Sequence, residues 1–269
     1  VNQGKADLNV NITSGVAGED VVINVNGPSD ITGNVTVVVN DKKYNATFVD
    51  GTASVTLKDL ASGNYTASVL YSGDKNYEKQ ELKADFTVEF NKNVNLNISD
   101  IVMVYKDGTR MVAVLTDYEG NPIANATVYF SINGVTYVRT TDANGSASIG
   151  LNLGSGVYGA SVYYNGSDMY DKVSKNITVT INPTVLADDL VKMYKNATKF
   201  SAKFTDSTGK ALVNSDVRFN INGVFYNRVT NDKGVAKLNI QLRPANYVLT
   251  AYNPNNGYQC GYTIKVLPT

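Results

Sequence analysis

The sequence has 269 residues, which is long for one β-sandwich and enough for two or three domains. Its 24 basic and 24 acidic residues balance and form no basic run, so we expect no nucleic-acid partner and no membrane contact. Histidine is absent, which excludes histidine-dependent triads and zinc sites, and the single cysteine, Cys260, excludes an intrachain disulfide. No apolar stretch approaches the roughly 20 residues of a membrane-spanning helix. The sequence starts at Val1 without a signal sequence, so we expect a processed product or an excised fragment.

The first part of the chain alternates apolar and polar residues with a period of two, as half-buried antiparallel strands do. The stretch from Asp50 to Tyr65 is a shorter version of a pattern that returns twice downstream. Within it, L-x-x-G-x-Y at Leu60–Tyr65 predicts a tyrosine corner, in which the phenol bonds back to the backbone. The predicted inward sets are Val35, Val37 and Val39, and in the last strand Phe86, Val88 and Phe90.

The middle part contains the most informative stretch, Tyr137 to Tyr164. We interpret it as the arm of a hairpin, a turn at Asn144-Gly145, a strand, a tyrosine corner at Leu153–Tyr158 and a further strand. Ahead of it, Asn133-Gly134 lies between alternating runs and predicts a tight hairpin, because both positions tolerate positive φ. The predicted inward sets are Val128, Phe130 and Ile132; Ala147, Ile149 and Leu151; and Ile177, Val179 and Ile181.

The last part repeats the middle part. Residues 190–247 match residues 101–158 at an offset of 89, with 22 identities in 58 positions, and Asn222-Gly223 repeats the hairpin turn. The corner keeps Leu242 and Tyr247 but has Ala245 in place of glycine. A repeat of about 90 residues is too long for a solenoid unit and suits a small β-sandwich. The predicted inward sets are Val217, Phe219 and Ile221, and in the last strand Tyr262, Ile264 and Val266.

These patterns predict an all-β chain of three tandem Ig-like antiparallel β-sandwich domains arranged end to end. The expected domains are residues 1–92, 93–182 and 183–269, with short linkers near Phe90–Asn95 and Asn182-Pro183. No segment shows a sustained helical period.

Recurring lysine and acid pairs offer one covalent chemistry. A buried neutral lysine can attack an asparagine amide beside a protonated carboxyl, forming an isopeptide bond that removes roughly 17 Da as ammonia. Lys106, Asp117 and Asn176 are the candidate set in the second domain. Lys195 and Asp206 recur in the third, where no asparagine lies between residues 261 and 266. The alternative is that both lysines are turn residues with solvated charge.

The recurring arginines, Arg139 and Arg228, could contact a ligand, but a structural ion pair with the repeated Asp117 and Asp206 is the favoured interpretation. The pair Asp188-Asp189 near the second junction suits Ca²⁺, yet no acidic calcium-loop motif accompanies it, and we predict no metal.

No cofactor and no catalytic residues are predicted. Cys260 is interpreted as a buried or incidental thiol. No glycine-rich phosphate loop opens a helix, and nothing singles out a carboxylate pair for glycoside hydrolysis.

Asparagine glycosylation is the densest motif signal. In an exported protein the sequence N-x-S/T marks acceptor sites on exposed turns and outward faces. It occurs at ten positions: Asn11, Asn34, Asn45, Asn64, Asn97, Asn125, Asn144, Asn165, Asn176 and Asn196.

The segment GNYTASVLYSGDKNY at Gly63–Tyr77 resembles the immunoglobulin-like repeats of bacterial and archaeal surface proteins. The motifs Y-K-x-x-T, T-D-x-x-G and I-N-G-V-x-Y-x-R of the later domains are similar to repeats in adhesin-like proteins of methanogenic archaea. The resemblance covers nearly the whole chain, and its motifs mark a fold and not a site. It implies an extracellular, cell-surface stalk that projects a distal binding region and is anchored elsewhere in a longer polypeptide.

The expected function is therefore a non-catalytic structural and interaction segment of a cell-surface adhesin-like protein. Its expected partners are other domains of the same protein and host or microbial surface glycans or proteins. The alternative is a glycan- or protein-binding module that uses Tyr- and Asn-rich loops at one end of the sandwiches. That alternative predicts a cluster of exposed tyrosines, around Tyr163, Tyr164 and Tyr170 for example.

Overall fold

The computed structural model of the protein describes residues 3–269. As the alternation predicted, the chain is all-β, and the elements of this range are 24 strands without a helix. Accordingly, nothing helical between residues 3 and 269 has the length and apolar character that crossing a membrane requires. The strands form three pairs of sheets, called sandwich 1, sandwich 2 and sandwich 3 in chain order, and each pair combines a three-stranded with a five-stranded sheet.

Sandwich 1 lies in the first part of the chain. Its three-stranded sheet has the order β1 (Asn9–Ile12), β3 (Val21–Asn26), β6 (Thr52–Leu57). Its five-stranded sheet has the order β2 (Gly15–Val16), β8 (Gln80–Glu89), β7 (Gly63–Tyr71), β4 (Asn34–Val39), β5 (Lys42–Thr47).

Sandwich 2 has the same topology. Its three-stranded sheet has the order β14 (Ser146–Gly150), β11 (Arg110–Asp117), β9 (Val94–Asn97). Its five-stranded sheet has the order β10 (Ile101–Val104), β16 (Val173–Asn182), β15 (Gly156–Tyr164), β12 (Thr127–Ile132), β13 (Val135–Thr140).

Sandwich 3 repeats this arrangement once more. Its three-stranded sheet has the order β17 (Val185–Leu186), β19 (Lys199–Phe204), β22 (Val235–Asn239). Its five-stranded sheet has the order β18 (Leu190–Met193), β24 (Gln259–Leu267), β23 (Ala245–Tyr252), β20 (Asp216–Ile221), β21 (Val224–Val229).

In every sandwich a short early strand, here called the incoming strand, pairs in parallel with the last strand, here called the outgoing strand. These pairs are β2 with β8, β10 with β16, and β18 with β24. The registers cover two residue pairs in sandwich 1 and four in each of the other two sandwiches.

The described chain divides into two compact units. The first comprises the chain as far as Asn95 together with the segments Thr116–Asn121 and Gly166–Asp171. The second comprises Leu96–Leu115, Pro122–Asn165 and Lys172–Thr269, so most of sandwich 2 and all of sandwich 3 belong to one unit.

The alternating pattern predicted the buried faces correctly. The inward sets of β4, β12 and β20 are at most 4% exposed, and burying each such side chain stabilises the fold by about 1.5–3 kcal/mol. Two end positions differ. Phe90 follows the end of β8 and is 39% exposed, so its inward placement was wrong. Leu151 lies just beyond β14 and is half-buried.

The predicted hairpin turns are confirmed. Both residues of each turn have positive φ: 50° and 76° at Asn133-Gly134, and 52° and 78° at Asn222-Gly223. The flanking residues pair directly, Ile132 with Val135 and Ile221 with Val224, so each loop has two residues, as a type I′ hairpin requires.

The tyrosine corner is formed in all three sandwiches. The hydroxyls of Tyr65, Tyr158 and Tyr247 donate to the carbonyl four residues earlier, at 2.7, 3.0 and 2.9 Å respectively. Sandwich 3 forms the bond although Ala245 replaces the glycine, so the corner depends on the tyrosine rather than on that glycine.

A glycine turn connects the two sheets after the hairpin. The turn at Asn144-Gly145 leads from β13 in one sheet to β14 in the other, and Gly234 is its counterpart in sandwich 3. Gly234 has φ of 74°, and a Cβ built there would lie 2.7 Å from the Phe204 carbonyl oxygen. At Gly145 the corresponding clash is with the Leu115 carbonyl oxygen.

We expect Gly234→Ala to destabilise sandwich 3 by about 2–4 kcal/mol, because it combines a left-handed alanine with a clash against backbone. Gly223→Ala is the matched control, since its φ is 78° but a Cβ there meets nothing within 4 Å. The control should cost only about 1 kcal/mol. Chemical denaturation of both variants measures the difference, and equal losses would show that the clash is relieved at no cost.

Candidate functional site

The predicted crosslink residues of the second domain lie far apart. Lys106 is exposed in the turn after β10, where its φ is 57°, and its Nζ donates to the carbonyl of Asn256 at 3.2 Å. Asn176 is exposed in β16. Val104 pairs with Asn182, six residues beyond Asn176 on the same strand, which is about 20 Å. The structure does not bring Lys106 to Asn176, and the crosslink stays a prediction.

The two recurring aspartates cap their own turns. Asp117 Oδ1 accepts the N–H of Asn121 at 2.8 Å. Asp206 Oδ1 accepts the hydroxyl of Thr208 at 2.7 Å and the N–H of Lys210 at 3.0 Å. The Thr208 hydroxyl, together with the backbone N–H groups of Lys210 and Thr208, holds the pKa of Asp206 below its usual value. Both carboxylates therefore cap their turns by accepting backbone N–H groups.

The two recurring arginines donate to neighbouring backbone carbonyls, whereas Lys195 is exposed to solvent. Lys195 is exposed in a turn with φ of 60°. Arg139 Nη1 donates to the carbonyl of Val138 at 2.7 Å, and Arg228 Nη1 donates to the carbonyl of Asn227 at 2.6 Å. Each guanidinium thus bonds to a backbone carbonyl of its own strand, and the ion pairs of Arg139 with Asp117 and of Arg228 with Asp206 stay predictions.

Asp189, which follows the linker between sandwiches 2 and 3, accepts a hydrogen bond from the outgoing strand of its own sandwich, as Asp100 does in sandwich 2. Asp189 Oδ1 accepts the N–H of Thr263 at 2.7 Å, and Asp100 at the corresponding place in sandwich 2 accepts the N–H of Thr178 at 2.8 Å. Within the described part of the chain no three His, Cys, Asp or Glu side chains cluster as metal ligands. Cys260 is half-buried in β24, and its thiol donates weakly to the Gly261 carbonyl at 3.7 Å.

The tyrosines proposed as a binding cluster point in different directions. Tyr164 is buried, whereas its neighbour Tyr163 lies on the opposite face of β15 and stacks on Tyr129, with centroids 4.9 Å apart. Tyr170 packs against Phe90 in the first compact unit. Because adjacent strand residues face opposite sides of a sheet, Tyr163 and Tyr164 cannot form one surface.

All ten predicted glycosylation asparagines are exposed. Six of them lie within strands: Asn11, Asn34, Asn45, Asn64, Asn97 and Asn176. Four lie in turns or loops: Asn125, Asn144, Asn165 and Asn196. Exposure is a condition that an acceptor must meet, and modification at these positions stays a prediction.

A set of contacts inside the second compact unit joins sandwich 2 to sandwich 3. Tyr105, Lys106 and Ser155 form what is here called the junction surface, which receives loop 253–258 of sandwich 3. Tyr258 of this loop is buried; its ring centroid lies 5.0 Å from that of Tyr105, and its hydroxyl lies 2.6 Å from Ser155 Oγ. Burial raises the pKa of the Tyr258 hydroxyl, so it remains protonated. Lys106 therefore helps to hold the next sandwich.

A groove of about 540 Å³ lies on sandwich 3 alone. Its lining includes Asp216, Arg218, Asn227 and Tyr252. The Arg218 guanidinium lies over two rings, 4.7 Å from the centroid of Phe225 and 5.0 Å from that of Tyr252. Among the described residues no carbonyl or carboxylate accepts a hydrogen bond from Arg218, so its donors face the groove and solvent. Sandwich 2 has Tyr129 where sandwich 3 has Arg218, so this groove is not a repeated feature.

One buried lysine, Lys192, is not among the residues predicted from the sequence. Lys192 in β18 is 3% exposed, and its Nζ donates to the carbonyls of Asn196, Thr198 and Ile240 at 2.7, 3.0 and 2.8 Å. Three carbonyls satisfy all three donors of an ammonium group. The signal available in the sequence was its inward register, because sandwich 2 has buried Met103 at the corresponding position.

The motif that carries the family resemblance has a structural role in sandwich 1. The Asp74 carboxylate accepts the N–H groups of Thr32, Asn76 and Tyr77 at 2.8, 2.7 and 2.8 Å, and also the Thr32 hydroxyl at 3.0 Å. Gln3 donates to the Asp74 carbonyl. Partial burial favours the neutral acid, but the backbone donors outweigh it and hold the pKa of Asp74 well below its usual value.

No protein-family model matches the chain. In sequence it is similar to the inverse autotransporter adhesin YeeJ of Escherichia coli (strain K12), with 27% identity over 234 residues. This match covers 78% of the chain and 10% of that protein, so the chain spans about a tenth of the length of this curated relative.

Solved structures with a similar course of chain include the bacterial integrin-binding protein invasin, at 15% identity and a TM-score of 0.37, covering 97% of this chain and 60% of that one. A 1.5-MDa bacterial ice-binding adhesin gives 19% identity and a TM-score of 0.32, with 99% of each chain covered. Similarity at this level identifies neither a shared function nor a shared partner. Together, the sequence match and the sheet topology indicate bacterial adhesin-like, Ig-type repeat domains.

The Asp74 site predicts an acid-sensitive sandwich 1. Because the folded pKa of Asp74 lies below the unfolded value of about 3.9, its stabilisation is complete above pH ~4 and is lost as the pH falls further. Asp74→Asn should lower the melting temperature of sandwich 1 at pH 7, and its deficit should shrink between pH 4 and pH 2. Calorimetry across this range, with the exposed turn variant Asp41→Asn as control, measures the effect. A deficit independent of pH would contradict the assignment.

Proposed function

We propose that this chain is a load-bearing stalk segment of an extracellular, cell-surface adhesin-like protein, without catalytic activity, built from domains at residues 1–92, 93–182 and 183–269. The observation that carries the proposal is one sandwich topology repeated three times in a chain whose sequence matches a bacterial adhesin over 78% of its length. Its partners are other domains of the same surface protein. An archaeal, methanogen source rests on the motif resemblance alone.

Glycosylation of the ten exposed asparagines fits this extracellular location. The crosslink at Lys106 or Lys195 belongs to the same proposal, although both lysines lie in exposed turns. A stalk of this kind does not require the crosslink, because the sheet topology itself offers a way to resist force.

The feature of the topology that resists force is the parallel pairing of the incoming strand with the outgoing strand. When a sandwich is stretched through its two ends, tension passes the short first strand in the three-stranded sheet, then loads the incoming strand, and leaves along the outgoing strand. Since these two strands are parallel neighbours, the force shears their hydrogen bonds together instead of opening them one at a time. A backbone hydrogen bond contributes little by itself, so the number loaded together decides the resistance.

The three sandwiches differ in that number. The parallel register has four residue pairs in sandwich 2, Ile101–Val104 against Val179–Asn182, and four in sandwich 3. It has only two in sandwich 1, where Gly15 and Val16 face Val88 and Glu89. Sandwich 1 is therefore the mechanically weakest member.

Single-molecule stretching of the full chain through its termini tests the proposal. We expect three separate unfolding events, each releasing about 30 nm for roughly 90 residues, with one event at a clearly lower force than the other two. Asp74→Asn should lower only the weakest event, which identifies it as sandwich 1. A chain that yields without resolved events, or three events at one low force, would contradict a load-bearing role.

A second candidate function, a glycan-binding module, is supported by the groove on sandwich 3. It brings a guanidinium with free donors, an aromatic ring, a carboxylate and an amide to one concave surface, which are the groups that hold sugar hydroxyls and acidic sugars.

This candidate predicts saturable binding of the purified chain to members of an array of neutral and acidic glycans. Arg218→Ala should abolish that binding, while Arg228→Ala, on the opposite face of the same hairpin, should leave it unchanged. Absence of binding to every glycan, or equal loss in both variants, would refute it and leave the stalk function standing.

A further inference from the structure

The turn that forms the junction surface of sandwich 2 is repeated at the corresponding place of sandwich 3. Tyr194 and Lys195 follow β18 as Tyr105 and Lys106 follow β10. The φ angles of the two lysines are 60° and 57°, and each Nζ lies over the preceding tyrosine ring, at 5.4 and 5.3 Å. Within residues 3–269 the Lys195 amine has no acceptor, whereas Lys106 has the Asn256 carbonyl.

The connection to the outgoing strand is repeated as well. The N–H of Tyr105 donates to the carbonyl of Asn182, and the N–H of Tyr194 donates to that of Leu267, at 3.0 and 2.8 Å. Asn182 and Leu267 are thus equivalent in position. After both comes the dipeptide Pro-Thr: Pro183-Thr184 in one case and Pro268-Thr269 in the other.

Thr184 shows what this dipeptide does at the existing junction. It is fully buried, and its hydroxyl donates to Asn256 Oδ1 at 3.2 Å. Its carbonyl accepts the N–H of Thr205 at 2.9 Å and the side-chain amide of Asn253 at 3.2 Å. Thr184 is therefore the first residue built into sandwich 3. Its equivalent, Thr269, is exposed.

The turn that carries Tyr194 and Lys195 is fixed by a buried side chain of sandwich 3. The Lys192 ammonium binds the carbonyls of Asn196 and Thr198, the two residues that close the turn after Lys195. A surface fixed in this way loses little conformational entropy when a partner docks on it. The turn is therefore preorganised for a contact.

We propose that Tyr194 and Lys195 form a second junction surface, and that its partner is a further copy of the same Ig-like repeat, continuing the polypeptide from Pro268-Thr269. The repetition of these residues, and not the position of Thr269 in the sequence, points to this partner. The equivalent of loop 253–258 in that copy places an aromatic ring against Tyr194 and a backbone carbonyl on Lys195. The inference rests on the proposed stalk function.

One contact of the existing junction is not repeated. Ser155 bonds the Tyr258 hydroxyl, but its counterpart in the corner of sandwich 3 is Pro244, which has no donor or acceptor in its side chain. The proposed junction at Tyr194 and Lys195 therefore has one side-chain hydrogen bond fewer than the existing one. In the further copy, the hydroxyl of the tyrosine equivalent to Tyr258 faces solvent or another group of its own sandwich.

The test extends the full chain beyond Thr269 by a second copy of residues 185–269, so that Pro268-Thr269 takes the place of Pro183-Thr184. The matched control carries a Gly/Ser linker of equal length, which removes fraying of the chain end without supplying a partner. Hydrogen–deuterium exchange of the peptide 190–199 is measured in both. We expect exchange in the copy-extended chain to be at least about tenfold slower than in the linker-extended chain.

Two variants of the copy-extended chain locate the contact. Changing the tyrosine of the appended copy that corresponds to Tyr258 into alanine leaves sandwiches 1–3 untouched and should restore fast exchange. Lys195→Asn, which tolerates the positive φ but lacks the amine, should restore it in part.

Equal protection by the copy and by the linker would overturn the proposal, and so would protection that survives both substitutions. Neither result affects the stalk function, because the stretching signature of sandwiches 1–3 does not depend on a fourth repeat.

Discussion

The rest of the structure depends on the parallel pairing of the incoming strand with the outgoing strand. To make this pair, the chain must leave the three-stranded sheet and join the five-stranded sheet within a few residues. Asp100 and Asp189 lie at this crossing in sandwiches 2 and 3, where each carboxylate accepts an N–H of the outgoing strand. The aspartate thus supplies the hydrogen bond that the incoming backbone does not yet provide at that point. In the proposed stalk, this crossing places the two parallel strands so that tension along the chain loads the hydrogen bonds between them in shear.

The three sandwiches share their interiors and differ on their outer faces. Buried Phe130 and Phe219 occupy the same place in the cores of sandwiches 2 and 3. One residue earlier, on the outer face, a Tyr129–Tyr163 stack in sandwich 2 is replaced by Arg218 and Tyr252 in sandwich 3. Because outward residues contribute little to the core, such positions can change without altering the fold. Recognition through these outer positions therefore depends on single sandwiches, whereas in the proposed stalk the resistance to force depends on the strand pairing that all three share.

Much of the fold could be predicted because short-range sequence patterns determine it. Period-two alternation fixes which face is buried, and Asn-Gly between two such runs fixes a two-residue turn. The tyrosine corner was predictable from the spacing of Leu and Tyr alone. Phe90 was misplaced because alternation does not say where a strand ends, and β8 ends one residue earlier.

The polar sites were harder to predict, since they depend on contacts between distant segments. Lys106 and Lys195 recur as a pair in the sequence, but the lysine that is buried is Lys192, three residues before Lys195 and on the inward register. Its partners are backbone carbonyls, which leave no trace in the residue types around it. The role of Asp74 was likewise hidden, because the donors from Thr32 lie 42 residues away in sequence. The repeated Tyr-Lys turn can be recognised in the sequence, but its contact with the next sandwich is seen only in the folded structure.

The claim that parallel strands resist force by shear is tested most directly by changing the direction of pulling. Asn222 in the hairpin turn and Leu267 at the end of the outgoing strand lie at the same end of the five-stranded sheet, as the pairing of Ile221 with Leu249 and of Ala245 with Val266 shows. Pulling sandwich 3 between residue 222 and the C terminus therefore peels the outgoing strand one bond at a time. The account predicts a much lower unfolding force in this direction than through the chain termini. Equal forces in the two directions would contradict it.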